Sequence, residues 1–217
     1  MKRFHTALIV ASAFLGLASA PAGLAAPTLD VEYKLINPPQ PGAGKGVEVH
    51  EFFNYACSHC YDFEPLLRLW LKTKPKDVEF RYVPAVFNER MLPLAKTYYT
   101  LEEMGLLDRM HEKVYEAIHV GRVNLADRAV MIKWIAEQGV DSKKFEATYD
   151  SFSVDSKAQR AGQLTRSYRI TATPYVAVAG RYLTAPSLTL RADGNVDPNR
   201  FFQVLNDLVI MGRGGAK

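Results

Sequence analysis

The sequence predicts an α/β fold: a central mixed β-sheet flanked by helices, with an all-helical segment inserted into it. Three observations carry that expectation. Runs rich in β-branched and aromatic residues occur at Val47–Phe53, Val78–Val83 and Tyr175–Thr184, the composition of buried strands. Between the second and third runs, from Met91 to Tyr168, no strand pattern survives and amphipathic helical spacing takes over. The segment Cys57-Ser58-His59-Cys60 stands between the first strand and the helix after it, and it holds the only two cysteines in 217 residues.

The chain opens as a leader. Lys2 and Arg3 precede an apolar run from Ala7 to Ala20, followed by small residues around Gly23 to Ala26, the layout of a secretory signal peptide. The run is shorter than the roughly 20 residues a membrane span needs, and Pro21 interrupts it. Cleavage is expected after Ala25, because cutting after Ala20 or Ala26 places a proline beside the scissile bond. Residues 1–25 are thus read as signal peptide, and export places the rest in an oxidising compartment. About 190 residues remain, one domain of ordinary size or one with an insertion. With 48% of residues hydrophobic, the chain can fill a core. Its net charge of +4 falls to +2 once Lys2 and Arg3 leave, too mild a balance to argue for nucleic acid.

Asn37-Pro38-Pro39-Gln40-Pro41-Gly42 is loop chemistry. After the Val47–Phe53 strand, Cys60, Phe63, Leu67, Trp70 and Leu71 share one helical face, with Pro65 expected to kink that helix. The next strand, from Val78, is closed by Pro84. Glycines at 105, 121 and 139 punctuate the helical block, in which Leu94/Ala95/Tyr98/Leu101 and Val130/Trp134/Ile135 each form an apolar face. Asp141 is a candidate N-cap. Tyr175–Ala179 and Tyr182–Thr184 form a hairpin about Gly180-Arg181. Asp197-Pro198 opens the last helix, which presents Phe201, Phe202, Leu205, Leu208 and Val209 and is expected to stop at Gly212.

The chemistry concentrates at the cysteines. A disulfide four positions wide closes too small a loop to stabilise much, so its value is chemical. A helix N-terminus offers unpaired N–H groups and the positive end of the dipole. Cys57, the outer sulfur, is the expected nucleophile, and Cys60, inside the first turn, the resolving thiol. Stabilising the Cys57 thiolate stabilises the reduced pair and makes the oxidised pair a better oxidant. His59 adds a donor or positive charge beside it. Zinc is disfavoured: a structural site wants four ligands, and neither a second Cys pair nor His50, His111 or His119 completes one. His50 and His119 are read as structural or surface residues, Trp70 and Trp134 as core. Glu51 alternates with Val47, Val49 and Phe53, so an acid points where apolar side chains point.

The run Phe52-Phe53-Asn54-Tyr55-Ala56-Cys57-Ser58-His59-Cys60-Tyr61-Asp62-Phe63, with Thr173-Pro174 before the hairpin, resembles the DsbA family of bacterial periplasmic thiol:disulfide oxidases. The resemblance covers essentially the whole mature chain. It departs at Ser58, where the best-known members carry proline. It implies a thioredoxin fold, residues 26–90 and 169–217, with an inserted helical domain at 91–168. It also implies a cis Thr173–Pro174 bond facing the cysteines, with Thr173 leaving its backbone to an extended substrate. Glu51 matches the family's buried acid, which trades a proton with Cys60. The implied activity is donation of a Cys57–Cys60 disulfide to reduced, newly exported polypeptides by a monomer, with reoxidation by a DsbB-like inner-membrane quinone reductase. No cofactor, metal, nucleic acid or stable membrane insertion is implied. Two rivals stay open: an isomerase or reductase of the same fold, and a non-enzymatic peptide-binding chaperone. The isomerase reading meets an obstacle, since about 20 residues before Val47 leave no room for a separate dimerisation domain.

Overall fold

A computed structural model describes residues 25–42 and 44–214; the expected leader, up to residue 24, lies outside the described residues. Five strands form one mixed sheet: β1 (Lys34–Leu35), β2 (Val47–Phe53), β3 (Val78–Pro84), β4 (Tyr175–Val178) and β5 (Tyr182–Thr184), in the order β1-β5-β4-β2-β3. Helix α1 (Ser58–Thr73) connects β2 to β3, the crossover that parallel neighbours require. The other strand pairs are antiparallel. Central β2 is hydrogen-bonded on both sides, with Glu51 level with Tyr82 of β3 and Val176 of β4. Short β1 gave no sequence signal, because both its residues are exposed.

Five helices follow β3 before the chain returns to the sheet: α2 (Leu92–Glu103), α3 (Leu107–His119), α4 (Arg128–Glu137), α5 (Ser142–Tyr149) and α6 (Phe152–Ser167). Their ends follow local chemistry. Gly105 and Gly139 take φ of 67° and 71° just past α2 and α4. There Leu106 N–H reaches Leu101 O (2.8 Å) and Val140 N–H reaches Ile135 O (3.3 Å), closing orphan carbonyls as Schellman motifs do. Asp141 caps α5 by accepting from Lys144 N–H, as expected. Asp197 caps α7 (Pro198–Arg213) by accepting from Asn199 and Arg200 N–H.

The sheet buries both faces. On one, Val49, Leu67, Trp70, Val178, Phe201 and Leu208 pack α1 and α7 against the strands. On the other, Phe52, Val83, Tyr168, Ile170 and Ala177 join a cluster continuous with Leu101, Met110, Tyr115 and Phe145 of the inserted helices. Each fully buried large aliphatic contributes about 1.5–3 kcal/mol. Trp70 and Trp134 are core residues, as expected. Helix α1 carries through Pro65, which lies on its exposed side.

Three sequence expectations are corrected. Helix α7 does not stop at Gly212; it runs to Arg213. Gly212 is there for contact: a Cβ at that position would meet Ala179 Cβ at 3.0 Å and Val47 Cγ1 at 3.3 Å. Val130 is 38% exposed, and Met131 takes its place beside Trp134 and Ile135 on the buried face of α4. The hairpin turn falls one residue earlier than expected. Ala179 and Gly180 take the positive φ values, and Arg181 N–H donates to Val178 O at 3.0 Å.

Candidate active site

The turn after β2 presents the cysteines. Asn54 Oδ1 accepts from Ala56 N–H at 2.8 Å, and Cys57 N–H donates to Asn54 O at 2.9 Å. Cys57 arrives as the N-cap of α1 with extended backbone (φ −88°, ψ 117°), and no side chain caps the helix. The first-turn N–H groups are therefore left to its sulfur. Both cysteines are free thiols, Cys57 half-buried and Cys60 with 0% exposure.

Their surroundings push the two thiols apart. A hydrogen bond from Cys60 lowers Cys57 most. Partial burial opposes it, and Thr173 and the N–H groups of Cys60 and His59 add to the lowering, which brings Cys57 to about 5. Cys60 moves strongly upward: burial is the main cause, reinforced by its bond to Cys57 and the charges of Glu51 and Cys57. One sulfur holds an anion at neutral pH while its neighbour holds a proton.

Beneath Cys60 lies Glu51, with 1% exposure and no hydrogen-bond partner on either carboxylate oxygen among the described residues. Burial, then the charges of Glu64 and Cys57, raise its carboxyl well above the ordinary range. It holds its proton more firmly than an exposed carboxyl, a buried acid within electrostatic reach of both sulfurs.

The Thr173–Pro174 bond is cis, as the resemblance implied, and the Cys57 thiol donates to Thr173 O at 3.3 Å. These residues, 116 apart in sequence, meet because β4 is the ladder neighbour of β2. Asn37–Pro38 is also cis. The His59 side chain is exposed, and it is the backbone N–H of His59 that faces Cys57. His50 is half-buried, tilted against Tyr168 at 5.8 Å. His119 sits behind the motif: its Nε2 pairs with Tyr55 O at 2.8 Å, and its ring stacks on Tyr61 at 5.0 Å.

Residues 48–206 match the family model described as a DSBA-like thioredoxin domain. The chain belongs to the DSBA-like thioredoxin family. It is a thiol:disulfide oxidoreductase of the DsbA type. The thiol:disulfide interchange protein DsbA of Bordetella parapertussis is 44% identical over 183 residues, covering 84% of this chain and 85% of that one. Its counterpart from Burkholderia cepacia is 36% identical over 214 residues, with 96% of each chain covered. The crystal structure of Pseudomonas aeruginosa DsbA superimposes with a TM-score of 0.79 at 33% identity, covering 87% of this chain and 96% of that one. The DsbA fold thus agrees with the mixed sheet and seven helices described above.

Sequence reasoning missed the polar floor of this DsbA-type site. Glu64 is buried on α1, where its Oε1 accepts from Tyr82 OH at 3.0 Å. His111 of α3 is buried too, with Nδ1 paired to Tyr55 OH at 2.7 Å. Its Nε2 stands 3.6 Å from Glu64 Oε2. A signal existed for Glu64, which lies four residues after Cys60 on the face that carries Phe63 and Leu67. Nothing in the sequence paired it with a residue 47 positions away.

Proposed function

We propose that the protein is a periplasmic disulfide oxidase, delivered by cleavage of residues 1–25, in which the helices at 91–168 form a domain inserted into a thioredoxin-like domain (26–90 and 169–217). One observation carries the reading: the two thiols of one motif are pushed in opposite directions, Cys57 down to about 5 and Cys60 up. A reduced pair that keeps a comfortable thiolate is itself hard to reoxidise, so its disulfide is a strong acceptor of electrons.

The steps follow from the geometry. A substrate thiolate attacks Cys57 Sγ of the disulfide, the S–S bond breaks, and Cys60 leaves with the electron pair. Glu51, protonated by its burial, gives its proton to the departing Cys60 sulfur. The result is a mixed disulfide between Cys57 and the substrate. A second substrate thiolate then attacks the substrate's own sulfur and expels Cys57 as a thiolate, held by the Cys60 thiol, the Thr173 side chain and the N–H groups of His59 and Cys60. Two electrons have passed from substrate to protein. Glu51 is reprotonated from solvent after its donation, so the reduced pair holds one proton more than the disulfide. A DsbB-like membrane quinone reductase takes the two electrons back, and Cys60 loses that proton.

Thr173 and Pro174 bound the approach. Once Cys57 is a thiolate it no longer donates to Thr173 O, and that carbonyl is left to pair with an extended peptide as a strand edge does. Newly exported, unfolded polypeptides are the substrates such an edge accepts. Among the described residues no helix is long and apolar enough to cross a membrane.

The equilibrium of the Cys57/Cys60 pair against glutathione tests the reading. An oxidase gives a potential well above the roughly −270 mV of thioredoxin, together with rapid oxidation of a reduced peptide. A pair as reducing as thioredoxin, or strong isomerisation of a scrambled substrate with feeble oxidation, overturns it.

A further inference from the structure

Four buried polar atoms among the described residues lack a hydrogen-bond partner: both carboxylate oxygens of Glu51, Glu64 Oε2 and His111 Nε2. The last two face each other at 3.6 Å, and both residues are less than 10% exposed. Unpaired buried groups are costly, and here each is the complement of the other. The remaining atoms of the two side chains are engaged: Tyr82 OH donates to Glu64 Oε1, and Tyr55 OH pairs with His111 Nδ1.

We propose that Glu64 and His111 share one proton across the junction between α1 and the inserted helix α3, so that His111 sets the charge that faces the buried Glu51. The proton moves once the two side chains close from 3.6 Å to hydrogen-bond distance. The O–H bond at Glu64 Oε2 breaks and an N–H bond forms at His111 Nε2, giving a carboxylate and an imidazolium whose Nδ1–H points to the Tyr55 phenol oxygen. Tyr82 donates to Oε1 in both states. A cleft of about 280 Å³, lined by Glu64, His111, Tyr82, Arg68, Lys72 and Asp108, lies over the pair.

The groups around His111 favour this exchange. Tyr55 approaches from the loop before Cys57, Glu64 from α1, Tyr82 from β3 and Tyr98 from α2, and Tyr115 packs from its own helix; Glu51 of β2 feels the pair through the charge of Glu64. Arg68, a cation on α1 lining the same cleft, is bound to Glu112 at 2.8 Å, leaving His111 as the ring that meets Glu64 directly. Glu64 in turn acts on Glu51 by charge. The inference rests on Glu51 as the proton carrier only for its catalytic consequence; the shared proton stands on its own geometry.

NMR titration of the reduced protein, labelled at glutamate carboxyls and histidine ring nitrogens, tests the proposal. In the unaltered protein the Glu64 and His111 transitions coincide. His111→Gln, which can still bond Tyr55, raises the proton affinity of Glu64 at least tenfold, and Glu64→Gln lowers that of His111 by the same factor, as linkage demands. Unmoved transitions in either variant, unequal factors, or a His111 ring that never changes protonation while Glu64 titrates overturn it. Loss of peptide oxidation in Glu51→Gln reports on the relay alone, so the two failures are separable.

Discussion

Cys57 and Cys60 lie three residues apart and their environments differ more than their chemistry. Cys57 has a hydrogen-bonded thiol, Thr173 and two backbone N–H groups for its anion; Cys60 has apolar packing and a buried carboxyl. Ultraviolet titration of the reduced protein is expected to find one thiolate forming with a midpoint at about 5, and no second thiolate up to the ordinary thiol range. A midpoint in that ordinary range removes the basis for an oxidant. Glu51 acts at the other sulfur. Its raised carboxyl holds a proton more firmly than an exposed acid does, and Glu51→Gln takes away the proton proposed to move with Cys60. Peptide oxidation then slows by about a hundredfold, the usual size of a general acid's contribution. The Cys57 midpoint stays put, because the raised Glu51 carboxyl is uncharged where Cys57 titrates and glutamine is uncharged as well. Rapid-mixing kinetics on a reduced peptide measures the first quantity, the titration the second.

At the scale of elements, the close approach of α7 to the sheet depends on one absent side chain. A Cβ at Gly212 would lie 3.0 Å from Ala179 Cβ and 3.3 Å from Val47 Cγ1. Gly212→Val is therefore expected to cost about 1–3 kcal/mol from overpacking. Gly214→Ala, at a position with φ of −73° whose nearest neighbour among the described residues would be Met211 O at 3.6 Å, changes stability by less than about 1 kcal/mol. Urea unfolding of both variants checks the contrast. Gly212 also shows where sequence legibility ends. A glycine near a helix end reads locally as a stop, and only the three-dimensional approach of β2 and the β4–β5 turn reveals it as a contact. Val47–Phe53, α1 and Asp197 were legible because alternation, helical spacing and capping are local signals. The cis Thr173–Pro174 bond came from the resemblance, since nothing local distinguishes it. Glu64 and His111 stayed hidden because their burial is created by α3 folding over α1, a contact between distant segments.

Across the whole molecule, the stabilised thiolate makes fold stability depend on redox state and pH together. The folded value of Cys57, about 5, lies below its ordinary value of 9.0. A depressed group stabilises the fold fully above its unfolded value, progressively less as pH falls, and not at all below its folded value. Only the reduced form has this group. Cys60, pushed the other way, is a neutral thiol in both folded and unfolded chains below the ordinary thiol range and adds nothing there. Reduced protein is therefore expected to outlast oxidised protein in guanidinium at neutral pH, with the gap closing as pH falls towards 5. The same bookkeeping fixes the potential. Between about pH 6 and pH 8 the pair takes up two electrons and one proton, so its potential falls by about 30 mV per pH unit, half the slope of an ordinary dithiol. Below the Cys57 midpoint the second proton joins and the slope doubles. Redox equilibria measured at several pH values read the slope directly. A uniform slope of about 60 mV per unit, with the oxidised form the sturdier in denaturant, places the proton on Cys57 throughout and removes the driving force for disulfide donation.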